Sequence, residues 1–292
     1  MSRLIIRAIK VILVIAVSFV ILIVAGYHMY FGVRIGSDRS IMGQEDRLTG
    51  FYSGENRLTA YIFGEDNSKG LVVISHGIGG GASHFSREIA YFVDKGWRVF
   101  TFDKTGSYHS EGRGPRGLPQ SALDLNAALE YIAAQSWELP IVLYGHSWGG
   151  YAVAAVLNFD HDICAVVSLA GFAEPNSMLF EAVRPIAGPV GYLIHPILLA
   201  HQRLHFGQYA DLSAIEGINR SGIPVMIIHG VDDTIVTYHR AGIIAHQERI
   251  TNPNVIFVTR RYPDYAGHAD LTLGPLLMDE INDFFVRSLE AV

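Results

Sequence analysis

Apolar and polar positions divide the chain into three regimes. From Val11 to Ala25 the sequence VILVIAVSFVILIVA holds no charge and one polar residue, Ser18, and the apolar character continues through Tyr30 and Phe31. A run of roughly 20 such residues is long enough to cross a bilayer as a helix. From there to Gly70 the chain is polar and turn-rich, with alternating stretches such as Leu58 to Phe63 that suit a hairpin. Residues 34–50 read as a linker leading into the first strand. Beyond Gly70, short apolar runs alternate with longer helical patterns, as in a parallel sheet wrapped by helices.

The pattern predicts strands at Leu71–Ser75, Arg98–Phe102, Ile141–Tyr144, Ile163–Leu169, Val225–His229 and Val255–Thr259. Each is rich in Val and Ile without strict alternation, as strands covered on both faces should be. Helices are expected at His84–Lys95, Ser121–Gln135, Trp148–Leu157, Tyr238–Arg249 and Leu276–Leu289. In the last, Leu277, Ile281, Phe284, Phe285 and Leu289 share one face at helical spacing. From Phe172 to about Asn219 the alternation stops, and apolar stretches are broken by Pro185, Pro189 and Pro196. This segment reads as an inserted cap of short helices.

Charge and composition refine the picture. Arg3, Arg7 and Lys10 precede the first apolar run, which favours a cytoplasmic N-terminus with the remainder on the far side of the membrane. Tyr27, Tyr30 and Phe31 would then sit in the far headgroup layer. The alternative is a secretory signal cut at Val24-Ala25-Gly26, although this run is longer than an ordinary signal core. The chain carries 22 Lys and Arg against 28 Asp and Glu, a net charge of −6, which argues against a nucleic-acid partner. One cysteine, Cys164, lies in an apolar run that reads as a buried strand, so no intrachain disulfide or Cys-rich zinc site is available.

The strongest chemical signal is IVLYGHSWGGYAVAAVL at 141–157, an apolar strand running into Gly145-His146-Ser147-Trp148-Gly149 and then a helix. A nucleophile on so sharp a strand-to-helix turn has a strained backbone, and glycines two before and two after it relieve collisions. The turn leaves the Ser147 hydroxyl at a helix N-terminus, where backbone N–H groups favour developing negative charge. Serine needs a base, and the base needs an orienter. Asp233 follows the strand VMIIHG, and His268 follows the strand VIFVTR. The carboxyl ends of strands in an open parallel sheet lie together, so these three can converge. Their order, Ser then Asp then His, suits this kind of hydrolase.

From about Phe51 onward the chain resembles the α/β-hydrolase superfamily, especially its lysophospholipase-like and serine-aminopeptidase-like branch. The matching pieces are HGIGG at 76–80, FDKTGSYHSEG at 102–112, GHSWGG at 145–150, HGVDDTIV at 229–236 and GHAD at 267–270. The resemblance implies the acid role for Asp233 and oxyanion N–H donors at Ile78 and Trp148. The family's D-x-R-G-x-G-x-S loop appears as Asp103-Lys104-Thr105-Gly106-Ser107-Tyr108-His109-Ser110, without the arginine and the second glycine.

Competing readings attach to some of the same residues. Gly77-Ile78-Gly79-Gly80-Gly81-Ala82 formally satisfies a dinucleotide fingerprint, with Asp103 about 20 residues on as a ribose-binding acid. That reading leaves Ser147, Asp233 and His268 without a task. Glu174 is the alternative acid. His201 and His205, at i and i+4, have metal-ligand spacing but lack the intervening acid of H-E-x-x-H, and read as a surface pair on the cap. His76, His146 and His229 adjoin strand ends and read as loop stabilisers, and Asp270 as a cap for the last helix.

The expectation is therefore an α/β-hydrolase fold: a mostly parallel sheet flanked by helices, with a small helical cap and an N-terminal transmembrane helix. Residues 1–33 would be the membrane anchor or signal, and 34–292 the hydrolase domain, with the cap inserted at about 172–219. The expected function is hydrolysis of carboxylic esters, apolar acyl esters or lipids first, through an acyl-enzyme on Ser147 with His268 as base and without metal or organic cofactor. A peptidase or amidase using the same triad, or a non-catalytic binding protein on this fold, are the alternatives. The cap either lines an acyl pocket or simply covers the sheet. The expected location is a single-pass membrane protein with its hydrolase domain outside the cytoplasm, or a secreted protein after signal cleavage.

Overall fold

Eight strands share one sheet: β1 (Arg47–Ser53), β2 (Asn56–Phe63), β3 (Leu71–Ser75), β4 (Arg98–Phe102), β5 (Ile141–His146), β6 (Ala165–Leu169), β7 (Val225–Gly230) and β8 (Val255–Arg260). Their order is β1-β2-β4-β3-β5-β6-β7-β8. The β1–β2 hairpin and its junction with β4 are antiparallel, and all other neighbours are parallel. The computed structural model describes residues 3–36, 46–261, 265–273 and 276–290. Residues 37–45 of the expected linker and the side chain of Asp270 fall outside that description.

The central strands are apolar throughout because each serves two cores. Leu71 and Val73 of β3, Leu143 of β5, and Val225 and Ile227 of β7 face one; Val72, Ile74, Val142, Tyr144, Met226 and Ile228 face the other. Helices α3 (Gln120–Ala133), α4 (Trp148–Ala155) and α7 (Ala214–Ser221) cover the first face. Helices α2 (Ser86–Asp94) and α8 (Leu277–Glu290) cover the second, where Leu277, Met278, Ile281, Phe284 and Phe285 are buried. Two-sided cover of this kind removes strict alternation from parallel strands. The β1–β2 turn is two residues long, with Gly54 at φ 58° between the paired Ser53 and Asn56.

Three expectations need correction. Residues 238–249 form turns followed by a 3₁₀ segment, Ile243–Arg249, instead of an α-helix. Gly242 is extended (φ −63°, ψ 146°), and a Cβ there would come 2.6 Å from the His229 ring, so the chain bends where the helical pattern would continue. The cap contains α5 (Pro175–Ala187) and α6 (Gly191–Phe206), of 13 and 16 residues, which run through Pro185 and Pro196. These are longer than the short helices expected, and the prolines do not end them. Cys164 is half-buried just ahead of β6.

The N-terminal helix α1 (Arg3–Phe31) is exposed over most of its length, and only Tyr27 and Phe31, one turn apart near its end, are buried. Tyr27 and Phe31 are buried in the first core and only Tyr30 is exposed, so two of the three aromatic residues expected in a headgroup layer pack on protein. Arg116 N–H donates to Phe31 O at 2.9 Å, Ile35 N–H to Gly106 O at 2.9 Å, and Tyr108 N–H to Ile35 O at 2.9 Å. The first residues of the expected linker are therefore stitched to the loop after β4.

Candidate active site

Ser147 ends β5 and starts α4 with φ 59° and ψ −117°. That left-handed position costs a non-glycine residue of order 1–3 kcal/mol and persists only where surroundings over-determine it. Here they do: Ser147 N–H donates to Leu169 O at 2.8 Å, and Tyr151 N–H to Ser147 O at 2.9 Å. A Cβ at Gly145 would overlap the backbone of Gly149, and one at Gly149 the carbonyl of Ser75. The flanking glycines are thus required by close backbone approach rather than by their dihedral angles.

His268 lies between Ser147 and Asp233. Its Nδ1 is 2.7 Å from Asp233 Oδ2 and its Nε2 is 2.9 Å from Ser147 Oγ. A carboxylate can only accept, so Nδ1 carries the proton and the Nε2 lone pair faces the hydroxyl. Asp233 is held by its other oxygen, Oδ1, which accepts from Ile235 N–H and Val236 N–H, each at 2.9 Å. Its side chain is fully buried. Burial alone would raise its pKa, but hydrogen bonds from His229 and His268, and their charge, hold it below the ordinary carboxylate value.

Two further histidines brace this row. His146 Nε2–H donates to the backbone oxygen of His268 at 2.8 Å, tying the loop that carries the ring to the nucleophile turn. Burial first, then the neighbouring His268, push the pKa of His146 down to about 4. It is therefore neutral near pH 7. His229 Nε2–H donates to Val236 O at 2.8 Å and lies 3.2 Å from Asp233 Oδ2, closing the turn that holds the acid. Glu174, the alternative acid, pairs with Arg249 at 2.7 Å instead.

Ile78 and Trp148 are placed by different means. Gly77 packs against Ser147, for a Cβ there would lie 3.3 Å from Ser147 Cβ. The Gly77 carbonyl accepts from His76 Nδ1 at 2.7 Å and from Gly80 N–H at 3.2 Å. In a trans peptide the Ile78 N–H of the same plane points the opposite way. Trp148 opens α4, so its N–H is one of the donors a helix leaves unpaired. Its indole N–H donates to Leu118 O at 2.6 Å.

The loop after β4 departs from the family pattern and is held by other contacts. Asp103 Oδ1 accepts from Ala82 N–H at 2.9 Å; Oδ2 accepts from Tyr61 Oη at 2.9 Å and His109 N–H at 3.2 Å. Buried and engaged in this way, Asp103 is a brace of the glycine loop, not an open ribose acceptor. Thr105 N–H and hydroxyl both donate to Asp124 at 2.8 Å. Lys104, which sequence patterning does not single out, is fully buried. Its backbone N–H donates to His76 Nε2 at 3.0 Å, its ammonium to His76 O, and the ammonium lies 4.8 Å from the Trp148 ring centroid. Burial drives its pKa far below the usual lysine range.

The family model described as "Serine aminopeptidase, S33" matches residues 66–211. The chain belongs to that family. It is a family of the α/β-hydrolase superfamily, in the lysophospholipase-like branch of lipase and esterase type. A protein of Schizosaccharomyces pombe named for monoglyceride lipase activity is 24% identical, with 59% of this chain and 55% of that protein covered. A lysophosphatidylserine lipase of Danio rerio is 25% identical, with 59% and 45% covered. The chain thus spans about half the length of the curated relatives it matches. Among solved structures, a Pyrococcus furiosus esterase superposes with a TM-score of 0.68 at 17% identity, covering 87% of this chain and 99% of that one. A Pyrococcus horikoshii acylaminoacyl peptidase gives 0.62 at 18%, covering 83% and 41%. Likeness at such identity speaks for the fold alone.

Proposed function

We propose that this member of the family is a membrane-anchored serine hydrolase that cleaves carboxylic esters of apolar acyl groups, lipid esters first among them, through an acyl-enzyme on Ser147. The observation that carries the reading is the His268 bridge, 2.9 Å to Ser147 Oγ and 2.7 Å to Asp233 Oδ2. In the first half-reaction His268 Nε2 takes the hydroxyl proton as Oγ attacks the ester carbonyl. The oxygen that becomes negative is stabilised by the N–H groups of Ile78 and Trp148, and the proton passes from His268 to the departing alcohol. In the second, water gives a proton to His268 as it attacks the acyl-serine carbonyl, and His268 returns that proton to Ser147 Oγ as the Oγ–acyl bond breaks and the acid is released. Neither half requires a group beyond the chain and water.

The choice of substrate rests on the cap and the first helix. Ile186, Val190, Tyr192, Leu193 and Leu204 of the cap are exposed, as is most of α1. An exposed apolar surface of this extent suits contact with lipid, and the relatives' names point to lipid esters. With Arg3, Arg7 and Lys10 on the cytoplasmic side, the hydrolase domain lies beyond the membrane. The family description favours a second reading, cleavage of aminoacyl amides by the same three residues.

The test is a panel of p-nitrophenyl esters, monoacylglycerol, lysophospholipid and aminoacyl amides, run with the full chain in detergent. Turnover of apolar esters and labelling by a fluorophosphonate are expected, and both vanish in Ser147→Ala. Labelling that persists in the variant would remove Ser147 from the mechanism; amide turnover exceeding ester turnover would favour the second reading.

A further inference from the structure

Outside the proposed catalytic row, and among the described residues, a group of three histidines lies where α1 meets the cap. His201 and His205, one helical turn apart on α6, meet His28 from the last turns of α1. One ring nitrogen from each falls within 4.8 Å of the other two. The rings pack edge to face, with centroids 4.9 Å apart for His28 and His201, 5.6 Å for His28 and His205, and 5.0 Å for His201 and His205. His201 Nε2 is buried with no hydrogen-bond partner. A buried donor or acceptor left unpaired costs roughly 1–3 kcal/mol, so a ligand that satisfies it is favoured.

We propose that His28, His201 and His205 form a binding site for one divalent transition-metal ion, zinc foremost, that fastens the end of α1 to α6 of the cap. Three imidazoles without a carboxylate make a nitrogen donor set, which suits zinc, copper or nickel and disfavours magnesium and calcium. Zinc–nitrogen bonds of about 2.0–2.1 Å in a tetrahedron place ligand nitrogens roughly 3.4 Å apart. Side-chain rotation about helices already in contact closes the remaining distance. Three protein ligands leave a fourth position for water.

Arg116 is the nearby fixed positive charge that an incoming cation meets, and its guanidinium lies over the Phe206 ring, 6.0 Å from the centroid. The role of the ion is structural: it would cross-link an N-terminal segment to an insertion some 170 residues later, independently of which ester or amide is cleaved.

The experiment uses the full chain, free of any histidine tag, in detergent micelles and stripped by a chelator. Zinc chloride alone is titrated calorimetrically, and cobalt chloride is followed by visible absorption. One zinc per chain is expected, with affinity lowered about tenfold or more in both His28→Ala and His205→Ala and unchanged in His239→Ala. Cobalt should give an intense tetrahedral absorption that those two variants lose. His28, His205 and His239 are exposed, so each truncation leaves the core intact, and matching metal-free melting curves verify it. Failure to retain zinc at equimolar addition, or a bound ion unaffected by both His28→Ala and His205→Ala, would overturn the site.

Discussion

The proposed catalytic rim and the junction between α1 and the cap lie in one molecule but are built on different terms. At the rim the polar atoms of Ser147, His268 and Asp233 are mutually paired, and His146 and His229 secure the loops behind them. At the junction Tyr27 Oη, His201 Nε2 and Gln202 Oε1 are buried without partners, while Leu204 and Ile186 stand 87% and 90% exposed. Behind the rim His229 Nδ1 is buried without a partner, but the three groups proposed to react are each paired and so hold one geometry; a largely unpaired, apolar junction is suited to receive something from outside. The contrast separates the proposed chemistry from what meets the surroundings.

The sharpest way to break the contrast is at the acid. Asp233→Asn keeps an oxygen for the Ile235 and Val236 N–H groups but turns the partner of His268 Nδ1 into a donor, which reverses the tautomer. We expect kcat for a p-nitrophenyl ester to fall about 10⁴-fold with little change in melting temperature. A loss below tenfold would deny Asp233 the orienting role.

Acid should unsettle the rim next. His146 is held neutral in the fold, with its pKa lowered from 6.5 to about 4, and His76 is shifted in the same direction. The unfolded chain therefore binds protons that the folded chain refuses. The contribution of His146 is present in full above about pH 6.5 and is lost as the pH falls toward 4; at about 1.4 kcal/mol per unit, it amounts to about 3 kcal/mol. Denaturant titrations across that range should show the decline, and His146→Gln should make it shallower. An unchanged slope in the variant would place the effect elsewhere.

The junction should respond more mildly. Tyr27→Ala removes a ring buried against Phe31 and His201 and should cost roughly 2 kcal/mol of stability, read by denaturant unfolding of the detergent-solubilised chain. Loss of less than 0.5 kcal/mol, within the range of ordinary surface changes, would show that α1 is not docked there. The smallest effect is expected at Leu204→Ser, which should leave stability and soluble-ester turnover unchanged. Turnover of monoacylglycerol in vesicles should fall about threefold as apolar contact is lost. Equal rates on both substrates would remove the cap surface from lipid engagement.

The parts of the fold written in local pattern were legible from sequence. Strands β3 and β4 fall at the expected residues, because apolar runs bounded by turns record two-sided burial. Ser147, Asp233 and His268 were singled out from a glycine-flanked turn and two strand ends, and they lie together in space; their chemical roles await the assays above. What depends on distant contact was not legible. Gly242 lies so close to the ring of His229 that no side chain fits there, and Lys104 is buried beneath His76 and beside Trp148. His28 joins His201 and His205 only because two helices far apart in the chain come together.

The bonds from Arg116 to Phe31 and from Ile35 to the loop after β4 have a mechanical consequence. A slack tether would let the domain swing relative to α1, whereas this attachment makes the helix a handle. If α1 spans a bilayer, as proposed, a change in its tilt reaches the loop that braces the glycine turn beside Ser147. The bilayer would then help to set how the mouth of the proposed site faces the lipid.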